Sequence, residues 1–244
     1  MKLIAWLIIS FLSTSFVYGD RLLVAVASNF AQTLAELTPE FESRSGHTIA
    51  MIRGSTGKLY AQILSGAPYD IFMAADAKRP AMLEEAGKGT GESRRLYAEG
   101  KLVLWSTDPE LVDDSGVVLS TARFKHLAMA NPDLAPYGRA ALQVLDTMSL
   151  INKIEGRLVY GENIAQTYQF ISTENAELGF ISYSQLLNVN NNSGSWWLIP
   201  DSFYEPVSQE MITLRGSAAA EEFTAFLQGD YARALIARSG YRAP

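Results

Sequence analysis

RLLVAVASNFAQTLAELTPEFESRSGHTIAMIRGSTGKLYAQIL, residues 21–64, uses one device twice. An apolar run from Leu22 to Ala27 ends on Ser28 and turns through Asn29 into a stretch with Phe30, Leu34, Leu37 and Phe41 at helical spacing. After the Ser45-Gly46 turn, Thr48 to Ile52 forms a second apolar run, and Arg53-Gly54-Ser55-Thr56-Gly57-Lys58 turns into a second helical pattern. The first turn of a helix leaves backbone N–H groups unpaired and carries partial positive charge, so two such turns side by side make an anion cradle. This points to binding before it points to catalysis.

Working outward, Tyr69 to Ala74 reads as a third strand and Lys78 to Ala86 as a helix, which gives a βαβαβ order. That order predicts an α/β fold, with a mainly parallel sheet carrying helices on both faces. In such sheets ligands sit beyond the carboxyl ends of the strands, where Ser28 and Ser55 fall. Gly87 to Arg95 reads as an exposed loop. Leu102 to Trp105, Leu127 to Ala130 and Leu178 to Ile181 read as further strands, and helices are expected from Pro136 and from Ile164. Glu205 to Leu214 returns as a strand, and two helices, Ala218 to Leu227 and Tyr231 to Ser239, end the chain. The pattern suggests two lobes, one from 20–98 and 200–244 and the other from 99–199, joined by hinge strands; a single doubly wound domain fits the same rhythm.

Composition narrows the function. Lys2, the apolar run Leu3 to Phe11 and the small residues ending at Gly19 read as a secretory leader, residues 1–19, cleaved near Gly19 to leave an exported protein. The chain has 20 Lys and Arg against 26 Asp and Glu, a formal net charge of −6, and losing Lys2 makes it more negative. Such a chain has no basic face for nucleic acid. With no cysteine, thiol catalysis and thiolate metal sites are absent, and with only His47 and His126 a histidine-rich metal site is not expected.

The catalytic readings lack partners. Gly54-Ser55-Thr56-Gly57-Lys58 has neither the leading glycine nor the hydroxyl after lysine that a nucleotide phosphate loop requires, since those positions hold Ile52 and Leu59. Ser55 is not in a Gly-x-Ser-x-Gly elbow, and both histidines stand in poor contexts for a base. Asp70 and Asp76 flank a strand, and the natural role of Asp76 is to cap the helix near Ala77. A secreted serine hydrolase using Ser55 remains the rival from another class.

The binding reading joins four turns. Ser28 and Ser55 can each offer a hydroxyl and an N–H, and Tyr137 and Ile164 begin two helices in the other half. Taken singly each serine is equally an ordinary N-cap. Converging together, such neutral donors could replace an anion's water shell with no buried lysine or arginine, which suits an acidic chain.

Ala27-Ser28-Asn29-Phe30, the long run Gly54 to Ile63, and Gly66-Ala67-Pro68-Tyr69-Asp70-Ile71-Phe72-Met73-Ala74-Ala75-Asp76 closely resemble the periplasmic molybdate-binding proteins of ABC transporters. The likeness continues in Asn131-Pro132-Asp133, Pro136-Tyr137-Gly138, Glu162-Asn163-Ile164 and Ala176 to Phe180, and so covers nearly the whole mature chain. The resemblance implies a two-lobed periplasmic-binding-protein fold of type II kind, closing on molybdate or tungstate for a membrane permease. No cofactor is implied, and the molybdenum is bound as its oxyanion without direct protein ligands. It places Ser28 and Ser55 on the oxygens through hydroxyl and N–H, and Tyr137 and Ile164 through N–H, with Asn29 and Ser182 as further candidates. Some members place a tyrosine hydroxyl at the position held here by Ser182; Tyr183 next to it would point the other way. The expected species is a monomer, and sulfate or phosphate is the alternative cargo.

Overall fold

The computed structural model describes residues 19–121, 123–188 and 194–242. The leader lies almost entirely outside them. The chain starts with β1 (Arg21–Ala27), α1 (Ala31–Ser45), β2 (Thr48–Gly54), α2 (Thr56–Leu64), β3 (Ile71–Met73), α3 (Lys78–Glu85) and β4 (Arg95–Gly100). Next come β5 (Leu102–Ser106), α4 (Val118–Thr121), β6 (Leu127–Ala130), α5 (Pro136–Thr147), α6 (Ile151–Ile154), β7 (Leu158–Gly161) and α7 (Ile164–Ser172). The remainder is β8 (Leu178–Ser182), α8 (Tyr183–Leu187), β9 (Ser195–Leu198), β10 (Val207–Thr213), α9 (Ala218–Gln228) and α10 (Asp230–Arg238).

Two five-stranded sheets result, in the orders β2-β1-β3-β10-β4 and β7-β6-β8-β5-β9. Both are mixed rather than mainly parallel. β1 pairs parallel with β2 and β3, and β6 with β7 and β8, but β10 and β5 each run antiparallel to both neighbours. The reversed strands are the ones through which the chain changes lobes. β4 runs through Lys101 directly into β5, and β9 returns through residues 199–206 into β10. The two crossings lie side by side, with Ile199 N–H donating to the Leu102 carbonyl and Gly100 paired with Val207.

Sequence periodicity explains the packing. Phe30, Leu34, Leu37 and Phe41 of the first helical stretch are fully buried against β1 and the C-terminal helices α9 and α10. Full burial of each such side chain contributes about 1.5–3 kcal/mol. α1 stops at Gly46, whose φ of +74° lets its N–H close back on the Glu42 carbonyl. β4 falls where the reading of a loop ended, because only Tyr97, Ala98 and Gly100 of its six residues are buried and its apolar signal is weak.

The lobes touch across the cleft between them. Gly57 N–H donates to the Leu134 carbonyl at 2.8 Å, Arg79 Nη2 to the Asp133 carbonyl at 2.9 Å, and Lys58 Nζ lies 2.5 Å from Glu162 Oε2.

Candidate functional site

β1 and β2 are parallel and in register to their last residues, Ala27 opposite Gly54, so Ser28 and Ser55 leave the sheet at one level. The Ser28 N–H donates to the Gly54 carbonyl at 3.0 Å and forms the last rung of the ladder. It is therefore not free for a ligand, contrary to the expectation from sequence, and Ser28 offers its hydroxyl alone. Ser55 is the N-cap of α2, its Oγ accepting the Lys58 N–H at 3.4 Å. As an acceptor there, the hydroxyl still has its proton to donate. Thr56 Oγ1 accepts the Ala75 N–H at 3.1 Å and ties the end of β3 to the start of α2.

The other lobe presents two helix starts. In α5, Pro136 has no N–H, and Gly138 and Arg139 both donate to the Ala135 carbonyl, which leaves Tyr137 N–H. In α7, Asn163 is the N-cap, and its Oδ1 accepts from both Ala165 and Gln166 at 3.0 Å, which leaves the N–H groups of Asn163 and Ile164. The same subtraction at α2 removes Gly57, Lys58 and Leu59 and leaves Ser55 and Thr56; after β1 it removes Ser28 and Phe30 and leaves Asn29. Among the described residues, six backbone N–H groups thus remain without an internal acceptor at four turns: Asn29, Ser55, Thr56, Tyr137, Asn163 and Ile164.

All six residues line one cavity, together with Ser28, and none of its lining side chains is charged. The cavity has about 10 Å³ of room for the centre of a water-sized sphere, far below the roughly 300–1,000 Å³ of sites for drug-sized organic ligands. A wider groove sharing Ser28, Gly54 and Asn163 lies outside it, bordered by Arg53 and Glu162. The arrangement can solvate a small anion with neutral dipoles held by a folded scaffold.

Ser182 is not brought to this cavity. It is fully buried as the N-cap of α8 in a reciprocal capping box with Gln185, whose Nε2 donates to the Ile164 carbonyl at 3.1 Å. Gln185, held by Ser182, braces the Ile164 carbonyl. Tyr183 packs under Lys101, away from the cavity. Neither histidine comes near: His47 Nδ1 accepts the Asp20 N–H, and the His126 N–H donates to Glu177. Asp76 accepts the Arg79 N–H near the start of α3, the capping role expected of it.

A buried polar layer behind the cavity was missed by sequence reasoning. Asn29 Nδ2 donates to Gln209 Oε1 at 2.8 Å, the Tyr97 hydroxyl donates to the same oxygen at 3.2 Å, and the Tyr241 hydroxyl donates to the Asn29 carbonyl at 2.8 Å. Burial pushes the Tyr241 hydroxyl up to about 12 and those of Tyr97 and Tyr137 well above the ordinary tyrosine range, so all three stay neutral. Their partners are remote in sequence, and only the separate signals of apolar strand and helix precede them.

Residues 22–242 match the family of bacterial extracellular solute-binding proteins. The chain is 43% identical over 222 residues to the molybdate-binding protein ModA of Azotobacter vinelandii, covering 89% of this chain and 88% of that protein. It is 40% identical over 226 residues to ModA of Rhodobacter capsulatus, covering 91% and 88%. Among solved structures, the periplasmic molybdate-binding protein of Azotobacter vinelandii superposes with a TM-score of 0.88 at 38% identity, covering 91% of this chain and 99% of that one. With its two mixed sheets, two crossings and intervening cavity, this chain belongs to the bacterial extracellular solute-binding proteins, and among them to the ModA-like substrate-binding proteins.

Proposed function

We propose that this chain captures molybdate, and tungstate as an equivalent cargo, in the cavity between its lobes and delivers it to the membrane permease of an ABC transporter. The observation that carries the reading is the convergence of six unspent N–H groups from four turns, on both lobes, upon one small cavity without charged side chains. Ser28 and Ser55 add hydroxyl donors from one lobe, while Tyr137 and Ile164 supply the opposing N–H groups. Two relatives at 40–43% identity that carry the name of molybdate-binding proteins support the choice of ion.

The alternatives fit less well. Hydrogen phosphate brings a proton of its own, and the cavity lining includes no carboxylate to accept it. Sulfate presents the same charge and acceptor geometry as molybdate, so discrimination rests on cavity size. Hydrolysis at Ser55 finds no histidine at the cavity, and the relatives are named as molybdate-binding proteins. The relative's description as periplasmic supports a periplasmic location, with export through the leader and cleavage near Gly19. Both jaws of the cavity lie on one chain, so capture of the anion needs no second copy.

Calorimetry and thermal shift with molybdate, tungstate and sulfate test the proposal. Saturable binding of both metal oxyanions and weak or absent binding of sulfate is expected. Silence with molybdate and tungstate would overturn it.

A further inference from the structure

Tyr137 has two working ends. Its backbone N–H is the first-turn donor that α5 leaves at the cavity, while its hydroxyl lies at the crossing between the lobes. A Cβ added at Gly100 would fall 2.0 Å from that hydroxyl and 2.8 Å from Gln209 Nε2. Glycine at position 100 is therefore what makes room for the phenol. Gly100 is the last residue of β4, immediately before Lys101. Gln209 is fully buried on β10; its Nε2 lies 3.5 Å from the Tyr137 hydroxyl and its Oε1 holds the Asn29 side chain. Neither Gly100 nor Gln209 lines the cavity. One amide thus stands between two residues that present N–H groups to the cavity from opposite lobes.

We propose that Gly100 and Gln209 form a hinge socket for the Tyr137 hydroxyl, filled when the lobes close, and that these two positioning residues set how tightly the anion is held without touching it. The inference rests on the anion-binding reading above. α5 belongs to one lobe and Gln209 to the other, so rotation about the crossing changes their separation, unlike contacts made within a lobe. A contact present only in the closed arrangement deepens that state and slows release, and leaves the open form as stable as before.

The test compares Gly100→Ala and Tyr137→Phe with the unaltered protein by stopped-flow release of molybdate and by thermal melts with and without the ion. Tyr137→Phe keeps the backbone N–H and the ring, so it tests the hydroxyl alone. It should raise the dissociation rate by about two- to tenfold, as expected for one modest hydrogen bond. Gly100→Ala, which blocks the seat, should cost more affinity than Tyr137→Phe and lose most of the molybdate-induced gain in melting temperature, with the ion-free melt unchanged. Wild-type release rates in both variants, or a Gly100→Ala protein whose ion-free melt falls as far as its loaded one, would overturn the socket. If the unaltered protein itself shows no response to molybdate, it is the anion reading that fails.

Discussion

Lys58 and Glu162 meet across the cleft, Nζ to Oε2 at 2.5 Å, with roughly half of each side chain open to solvent. Lys58 follows the Ser55 cap on one lobe, and Glu162 precedes the Asn163 cap on the other, so the pair joins the rims of the two jaws rather than the ligand. Exposed pairs of this kind contribute about 0–1 kcal/mol and weaken as salt rises. Lys58→Met should speed molybdate release by no more than about fivefold at low salt, with the difference vanishing in concentrated salt. A large effect that survives salt would assign Lys58 a direct contact with the anion.

Asn163 caps α7 with a neutral oxygen beside a cavity that would hold a dianion. Asn163→Asp keeps the capping acceptor and adds a charge that favours the helix N-terminus. The ion-free protein should therefore melt at the same temperature or higher. Molybdate affinity should fall by at least about a hundredfold, since a like charge within a few ångströms in a desolvated site costs several kcal/mol. Calorimetry alongside melts checks both halves, and undiminished affinity would place the anion elsewhere.

Ser55 is 2% exposed and is both cap and candidate donor. Ser55→Ala should weaken molybdate binding by about 1–3 kcal/mol through a lost donor to a charged oxygen. It should also lower ion-free stability by about 1 kcal/mol through the lost cap. Denaturant titration without ligand separates the two effects from those in a binding isotherm. Wild-type affinity would remove Ser55 from the site.

The Tyr241 hydroxyl, held near 12 by burial, loses its proton far less readily in the folded chain than in the unfolded one, where tyrosine titrates near 10. The folded state thus binds more protons between these values. Its stabilising effect is fully present below about pH 10 and is lost as pH rises towards 12. Melting temperature should decline through that window, and Tyr241→Phe should flatten the decline. The anion cavity has no titratable lining group apart from the buried phenol of Tyr137, so molybdate affinity should stay constant from about pH 6 to 9.

What was legible in the chain was local. The turns at Ser28 and Ser55, the cap on α2 and the helix starts at Pro136 and Ile164 announce themselves through neighbours a few positions away, because caps and apolar periodicity act over one helical turn. The loss of the Ser28 N–H to Gly54 depends on exact strand register, which no short pattern specifies. Gln209 meets Asn29 across 180 positions, and Tyr241 meets Asn29 across 212, so the buried layer had no sequence signal. Ser182 was drawn toward the ligand by the resemblance, since it stands where some members place a tyrosine hydroxyl. Its capping partner Gln185, three residues on, was the sign that the hydroxyl was already engaged.

The uncharged lining of the cavity has an electrical consequence. A molybdate held by N–H and O–H dipoles alone binds without proton uptake, since the neutral phenol of Tyr137 is the one titratable group in the lining, and so it adds both of its negative charges to the protein. The loaded protein is then two units more negative than the empty one, on a chain already at −6. Occupancy becomes visible to anything that senses charge at a distance, from an ion-exchange column to the surface of a membrane partner.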